Sequence, residues 1–238
     1  MLTFEFSFRG PAPLHHTLLA NRYKTGITLQ SLHPTNFDHG LILAQTPYPG
    51  LDIPNPETVT VQELQPLVAL KGAEMLVQGL QDRVFVPPLT EVGWWSNSQL
   101  RGQAPEIRRA PKITPRDRRI DWSSFSAIEI LRRQRVLGSL WNMATDINKG
   151  KRVIMTLSYL SVSEDVPIGE PGLPFLWSPS DLETPYLVVR TQDRRLLRIV
   201  EMTVEGERNA EAVKAATKAG LLRGESSGEL VTFHGRLD

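Results

Sequence analysis

The spacing of apolar residues changes period several times along the first half of the chain. Leu2, Phe4, Phe6 and Phe8 alternate with other residues at the period of a strand. That run ends in Arg9-Gly10-Pro11, a turn. Over residues 11–20, Leu14, Leu18 and Leu19 fall on one helical face. Pro11 suits the first helical position and Asn21 the helix end. Residues 25–32 alternate again, and residues 41–46 give a second strand. Pro47, Pro49, Pro54 and Pro56 then mark an irregular stretch. Thr60-Val61-Gln62-Glu63 reads as a capping box. It opens a helix to about Gln81, with Leu64, Val68, Met75, Leu76 and Leu80 inward. Pro66 lacks the N–H a helix interior needs, so a kink there, or a start after it, is expected. Val84-Phe85-Val86 reads as a short edge strand.

The second half has a different texture. Residues 108–119 carry six basic residues and two prolines, the mark of an extended, semi-stiff linker. Ser126-Ala127-Ile128-Glu129 is a second capping box. Its helix has Ile128 and Leu131 inward and Arg132, Arg133 and Arg135 outward. Trp122, next to apolar Ile120, reads as a packing anchor rather than a platform for bases. Runs at 153–160, 186–191 and 196–204 are rich in β-formers, the last two a hairpin turning at Asp193-Arg194. A short Ala-rich helix over 209–222 and a strand over 230–234 complete a small β-barrel or sandwich. No aromatic pair suited to reading RNA stands out in it.

Charge sharpens this division. Net charge is −3 over residues 1–100, +8 over 101–152 and −4 over 153–238. The basic block suits either a polyanionic partner or a solvated linker. The chain has no cysteine, which excludes disulfides and thiol nucleophiles. No apolar run approaches the length of a membrane span. No presequence is visible in the first residues.

Candidate chemistry gathers in Leu32-His33-Pro34-Thr35-Asn36-Phe37-Asp38-His39-Gly40. Asp38 lies in a tight connection at a strand end, a usual place for chemistry in an α/β sheet. On the residues alone it reads rather as a turn carboxylate accepting local N–H groups. His33 and His39 flank it, but no fourth ligand follows at zinc-like spacing, so no metal is expected. His15-His16 reads as surface. Gly40 suits a positive φ or a close approach of substrate. Arg9 suits a phosphate or a carboxylate.

Several of these stretches, in this order, resemble methionyl-tRNA formyltransferase, with wording closest to fungal mitochondrial versions. Arg9-Gly10-Pro11-Ala12-Pro13 is similar to the end of the family's Ser-Leu-Leu-Pro-x-x-Arg-Gly-x-x-Pro loop. Thr25-Gly26-Ile27-Thr28-Leu29-Gln30 follows. Phe37-Asp38-His39-Gly40 stands where the family has Leu-Asp-Thr-Gly, and Lys71-Gly72-Ala73-Glu74 lies in the long helix. Ala110-Pro111-Lys112-Ile113, then Arg119-Ile120-Asp121-Trp122-Ser123, resemble the opening of its C-terminal domain. Arg135 fits its Ile-Arg-Ala helix position.

The resemblance implies an α/β fold: a remnant of a Rossmann-like formyltransferase domain over residues 1–107, its first strands missing. The basic linker 108–119 follows, then a small OB-like β-barrel over 120–238 that helps to hold tRNA. It implies transfer of a formyl group from 10-formyltetrahydrofolate to the amino group of initiator Met-tRNA, in the mitochondrial matrix. Of the family's catalytic Asn, His and Asp, the Asp falls on Asp38. Counted back from Arg9-Gly10, the His position lands on Met1 and the Asn before the chain starts. The Ser-Leu-Leu-Pro positions fall on Thr3-Phe4-Glu5-Phe6, which do not match. The expectation is therefore a chain without the first part of its catalytic domain and with little activity alone. A non-catalytic tRNA-binding or regulatory paralogue is the alternative. Arg9, Gly10 and Gly40 would shape the substrate loop. Arg108, Arg109, Lys112, Arg116, Arg118 and Arg119 would follow the tRNA backbone.

Overall fold

The computed structural model describes residues 2–3, 8–35, 40–93, 108–144, 150–161, 170–178, 184–223 and 232–233. The chain divides into two compact units, Met1–Ile113 and Thr114–Asp238.

The first unit is mixed α/β with small, open sheets. Strands β1 (Leu2–Thr3), β4 (Thr28–Gln30) and β5 (Ile42–Gln45) form an antiparallel sheet with β4 central. The alternating run at 25–32 is not one strand. Its start belongs to β3 (Lys24–Thr25), which pairs with β6 (Leu51–Asp52), and Leu32 is exposed. A parallel pair joins β2 (Phe8–Arg9) to β7 (Arg108–Arg109). Helix α1 (Pro13–Leu19) starts two residues later than the sequence suggests, with Pro13 in the first turn. Asn21 has a φ of 53° just past its end.

Helix α2 (Val61–Gln81) opens on the expected capping box. The Thr60 hydroxyl accepts the Glu63 N–H at 3.2 Å, and the Glu63 carboxylate accepts the Thr60 N–H at 2.8 Å. These bonds to Thr60 lower the Glu63 pKa. The helix neither starts after Pro66 nor breaks there. It packs on α1, β4 and β5 through Val61, Leu64, Val68, Gly72 and Gly79. Gly79 permits the closest approach, since a Cβ there would fall 2.7 Å from Leu29 Cδ2. Leu76 and Leu80, expected inward, are exposed, and Met75 is half-buried. The contact runs through Val61, Leu64 and Val68 and then, over the last turns, through Gly72 and Gly79, so Leu76 and Leu80 lie outside it with Leu67, Leu70 and Val77. Residues 84–86 are turns, not an edge strand.

The second unit is organised on an antiparallel sheet. Its strands are β8 (Leu140–Ala144), β9 (Lys151–Leu160), β10 (Phe175–Trp177), β11 (Tyr186–Arg190), β12 (Leu196–Val204), β13 (Ala210–Glu211), β14 (Leu222–Arg223) and β15 (Thr232–Phe233). They run in the order β14-β15-β10-β11-β12-β9-β8, with β13 beside β12. The path is open at β14 and β8 among the described residues. The β11–β12 hairpin turns at Asp193-Arg194 as expected, with Arg194 at a φ of 63°. Strands β8 and β10 were not legible as strands.

Helix α3 (Ala127–Leu137) and helix α4 (Ala212–Lys218) cover one face of this sheet, which buries Leu140, Val153, Met155, Leu187, Leu197 and Met202. In α3, Ile128 is exposed rather than inward, and Ile130 takes the buried position. Arg135, expected outward, has its Nε and Nη1 atoms out of contact with solvent. The Ser126 hydroxyl accepts the Glu129 N–H, while the Glu129 carboxylate turns outward to Arg132 and Arg133. Gln134 closes an open edge. Strand β8 covers β9 only from Lys151 to Met155, and at Leu157 the Gln134 amide takes over as neighbour. It donates to the Leu157 carbonyl at 2.8 Å and accepts the Leu157 N–H at 2.6 Å.

The start of the unit is tied in by a 3-10 turn, Pro115–Arg118, and by Trp122, which is buried. The Trp122 Nε1–H donates to Asn142 Oδ1 at 3.1 Å, and the Asn142 amide donates to the Ile120 carbonyl at 2.9 Å. Trp122 is thus the packing anchor expected of it. Gly172, at a φ of +79°, lies against its side chain.

Asp193 fastens the start of α3, and Asp121 the turn that precedes it. Burial raises the Asp193 pKa, but the Thr191 hydroxyl, the Ala127 N–H and Arg195 lower it further than burial lifts it. The hydroxyl groups of Ser123 and Ser124 hold Asp121 low. A carboxylate with a depressed folded pKa contributes stability above its unfolded value, near 3.9, and loses it as pH falls through the folded value. Thermal melts should therefore be flat from neutral pH to about pH 5 and fall steeply below about pH 4. Asp193→Ala should cost about 1 kcal/mol at neutral pH and make the acid limb shallower.

Of the large apolar residues that are exposed, Tyr23, Leu32, Leu41, Tyr48, Leu67, Leu70, Leu76, Val77, Leu80, Phe85, Val86 and Val92 lie in the first unit, against Ile128 and Tyr159 in the second. Limited proteolysis should leave a resistant fragment from residues 114–238 and degrade the first unit.

Candidate functional site

Asp38, with Asn36, Phe37 and His39, lies outside the described residues. The connection that carries it is defined by its two ends. Strands β4 and β5 are antiparallel neighbours, so residues 31–41 link them as a hairpin. The Ser31 N–H donates to the Leu41 carbonyl, and the Leu41 N–H donates to the Ser31 hydroxyl, both at 2.9 Å. Gly40 lies against the same residue: a Cβ there would sit 1.7 Å from the Ser31 carbonyl oxygen. Its φ is not in the left-handed region. Glycine is required because two backbones pass at close range. His33 Nδ1 accepts the Thr35 N–H at 3.3 Å, an ordinary local turn bond.

Residues that are remote in sequence meet at the β2–β7 pair. Phe8 and Arg9 lie beside Arg108 and Arg109. The chain is stitched further by the Ala110 N–H to the Arg9 carbonyl at 2.7 Å and the Ala12 N–H to the Ala110 carbonyl at 3.2 Å. Gly10, at a φ of +138°, faces the Ala110 carbonyl oxygen at 2.5 Å from a notional Cβ, so no side chain fits. His16, read as surface, is half-buried and has its Nε2 3.1 Å from the Pro111 carbonyl oxygen. Arg9 and Gly10 of the substrate-loop reading and Arg108 and Arg109 of the tRNA reading are therefore neighbours in the first unit, where Lys112 is exposed. Arg116, Arg118 and Arg119 are exposed in the second unit, on and just after the 3-10 turn.

An apolar groove of about 260 Å³ lies between β4 and the end of α2, lined by Leu29, Leu32, Leu43, Leu76, Leu80 and Phe85 among others. Gln30 and Ser31 are its polar members, so it offers a folate ring little to bond with.

In sequence, the chain is 32% identical over 154 residues to the mitochondrial methionyl-tRNA formyltransferase of Saccharomyces cerevisiae, an alignment covering 56% of this chain and 35% of that protein. The mitochondrial enzyme of Homo sapiens is 33% identical over 139 residues, with 58% and 32% covered. The methionyl-tRNA formyltransferase of Acidiphilium cryptum is 31% identical over 128 residues, with 54% and 36% covered. The chain is similar to methionyl-tRNA formyltransferases. It spans 32–36% of the length of these relatives. No family model matches it. Among solved structures, two alanine-substituted variants of HypX from Aquifex aeolicus align with 92% of this chain and with 35% and 36% of theirs. Their TM-scores are 0.53 and 0.52 at 14% and 16% identity, a likeness of fold.

The identity to these relatives bears out the resemblance read from the sequence. What that reading missed lies on the sheet of the second unit. Trp177 and Tyr186 are cross-strand partners, and the Arg198 guanidinium lies 3.7 Å from the Tyr186 ring centroid. The pair packs on buried Phe175, Val188 and Leu196, a small second core. Eight residues lie between Trp177 and Tyr186, too many for alternation within one strand to reveal the contact.

Gly40→Ala should destabilise the first unit by roughly 2–4 kcal/mol, since the Ser31 backbone cannot yield without opening the hairpin. Gly10→Ala should act similarly, through both φ and the Ala110 carbonyl. Chemical denaturation with a probe in each unit checks this. Transitions unchanged in both variants would show that these backbones do not pass so closely.

Proposed function

We propose that this chain is part of a methionyl-tRNA formyltransferase. The reaction moves a formyl group from 10-formyltetrahydrofolate to the amino group of initiator Met-tRNA. The observation that carries the reading is the 32–33% identity to two mitochondrial methionyl-tRNA formyltransferases over more than half of the chain. The ordered motifs from Arg9-Gly10 to Arg119-Ile120-Asp121-Trp122-Ser123 support it. The mitochondrial names of these relatives favour the mitochondrial matrix as its place of action. We take the first unit as Rossmann-like and the second as an OB-like tRNA-binding domain, joined by the basic stretch 108–119.

Formyl transfer passes through a tetrahedral oxyanion as the amine attacks the formyl carbon. It needs donors to that oxyanion and a route for the amine's proton. Asp38 takes the position of the family's aspartate. As a carboxylate it accepts, orients a partner and helps to move a proton, but it cannot donate to the oxyanion. The donors in the family are an Asn and a His that precede the Ser-Leu-Leu-Pro loop, and these 238 residues do not contain that pair. The chain alone therefore binds tRNA through Arg108, Arg109, Lys112, Arg116, Arg118 and Arg119, and turns over little.

The second reading is a non-catalytic tRNA-binding or regulatory protein. The basic block of net charge +8 over residues 101–152 favours it, since that block needs no catalytic centre. A formylation assay of the 238-residue chain with 10-formyltetrahydrofolate and Met-tRNA should give turnover near background. Robust turnover would overturn the assignment of the oxyanion donors to the Asn-His pair. If the chain also fails to bind 10-formyltetrahydrofolate once an Asn-x-His-bearing segment of a relative is fused before Arg9, the second reading stands instead.

A further inference from the structure

Strand β8 places Trp141 next to Arg119 through an isolated parallel bridge, and the Ile120 N–H donates to the Trp141 carbonyl at 3.2 Å. The indole is held from a second side, where its Nε1–H donates to the Pro115 carbonyl at 2.7 Å. Two guanidinium groups lie over this one ring. That of Arg119 is 5.8 Å from the ring centroid and that of Arg152 is 4.7 Å away. The two cations are thus at most about 10.5 Å apart, close to one Debye length at 0.1 M salt. Both arginines are exposed, and neither pairs with a carboxylate among the described residues. The nearby acids are engaged elsewhere. Asp117 accepts the Thr114 N–H and hydroxyl, and Glu205 accepts the Arg152 backbone N–H.

Cation–π attraction to an indole holds a guanidinium near the ring and leaves its N–H groups able to bond an anion. Two such groups of like charge, with no carboxylate paired to either guanidinium among the described residues, repel each other, and an anion that bonds to both relieves that repulsion. A phosphate diester fits that requirement in charge and in its paired acceptor oxygens. We propose that Arg119, Trp141 and Arg152 form a clamp for one backbone phosphate of an RNA strand, with Trp141 as the residue that positions both arginines. The proposal rests on the tRNA-binding reading above and adds two residues, Trp141 and Arg152, that the basic stretch does not contain. Arg116 and Arg118, exposed on the adjoining 3-10 turn, continue the same positive surface.

Binding of a Met-tRNA transcript to the full chain, measured over a series of salt concentrations, tests this. Arg152→Gln and Arg119→Gln should each weaken binding about five- to tenfold and lower the salt slope by about one phosphate contact. Trp141→Leu should weaken it comparably although it removes no charge, and Trp141→Phe should recover most of the affinity. If Trp141→Leu lowers the melting temperature, Arg152→Gln decides, since that guanidinium bonds to no described backbone group. Arg152→Gln and Trp141→Phe binding as the parent does, while Arg116→Gln with Arg118→Gln loses affinity, would overturn the clamp and leave the tRNA reading standing. Undiminished binding by all of these variants would overturn both.

Discussion

The Asn142 amide has no access to solvent, and both of its bonds reach the segment that leads into the second unit. Its oxygen takes the Trp122 indole N–H and its nitrogen gives to the Ile120 carbonyl. A buried amide left unpaired costs on the order of 1–3 kcal/mol for each lost bond, so these contacts specify register as much as they add stability. With Ile120 and Asn142 fixed, their neighbours Arg119 and Trp141 must lie side by side. The hydrophobic core below and the cationic surface above are thus set by one polar contact. Trp122 fills the core on one side of it, and Trp141 presents its ring to solvent on the other.

The two units differ in how completely they satisfy their apolar residues. In the second, α3 and α4 lie over one face of the sheet, and a smaller cluster around Phe175 covers part of the other. In the first, α2 touches its sheet through valine, leucine and glycine and turns its longer leucines outward. An exposed apolar stripe beside a short open sheet is a surface that another element would normally cover. Relatives about three times as long as the matched region have ample chain for such cover.

Legibility in the sequence followed the range of the interaction. The Thr60–Glu63 box, the Asp193-Arg194 turn and Asn21 at a helix end are local devices, and each was readable from a few residues. Helix α2 was readable as a helix, but periodicity cannot say which of its apolar stripes finds a partner, so Leu76 and Leu80 were assigned to the wrong side. Strands β8 and β10 are short and bounded by few turn signals; pairing with β9, β11 and β15 makes them strands. The candidate site shows the same limit. The need for glycine at position 40 was visible, yet its cause, the Ser31 carbonyl group, depends on pairing that no local pattern encodes, and so does the Ala110 carbonyl that requires glycine at position 10. Likewise Trp141 gains its interest from Arg119 and Arg152, which reach it from the preceding segment and from the neighbouring strand.

The β2–β7 pair joins Phe8 to Arg108, and the Ala110 carbonyl closes over Gly10. On the ribosome, Arg9-Gly10 leaves the exit tunnel long before its partner. At synthesis rates of about 5–20 residues per second, the loop feeding α1 waits roughly 5–20 seconds for the segment that locks it. The exposed leucines of α2 emerge within that interval, before the pair can close. For this chain, the order in which its parts can lock together is a consequence of where one pair of strands finds its match.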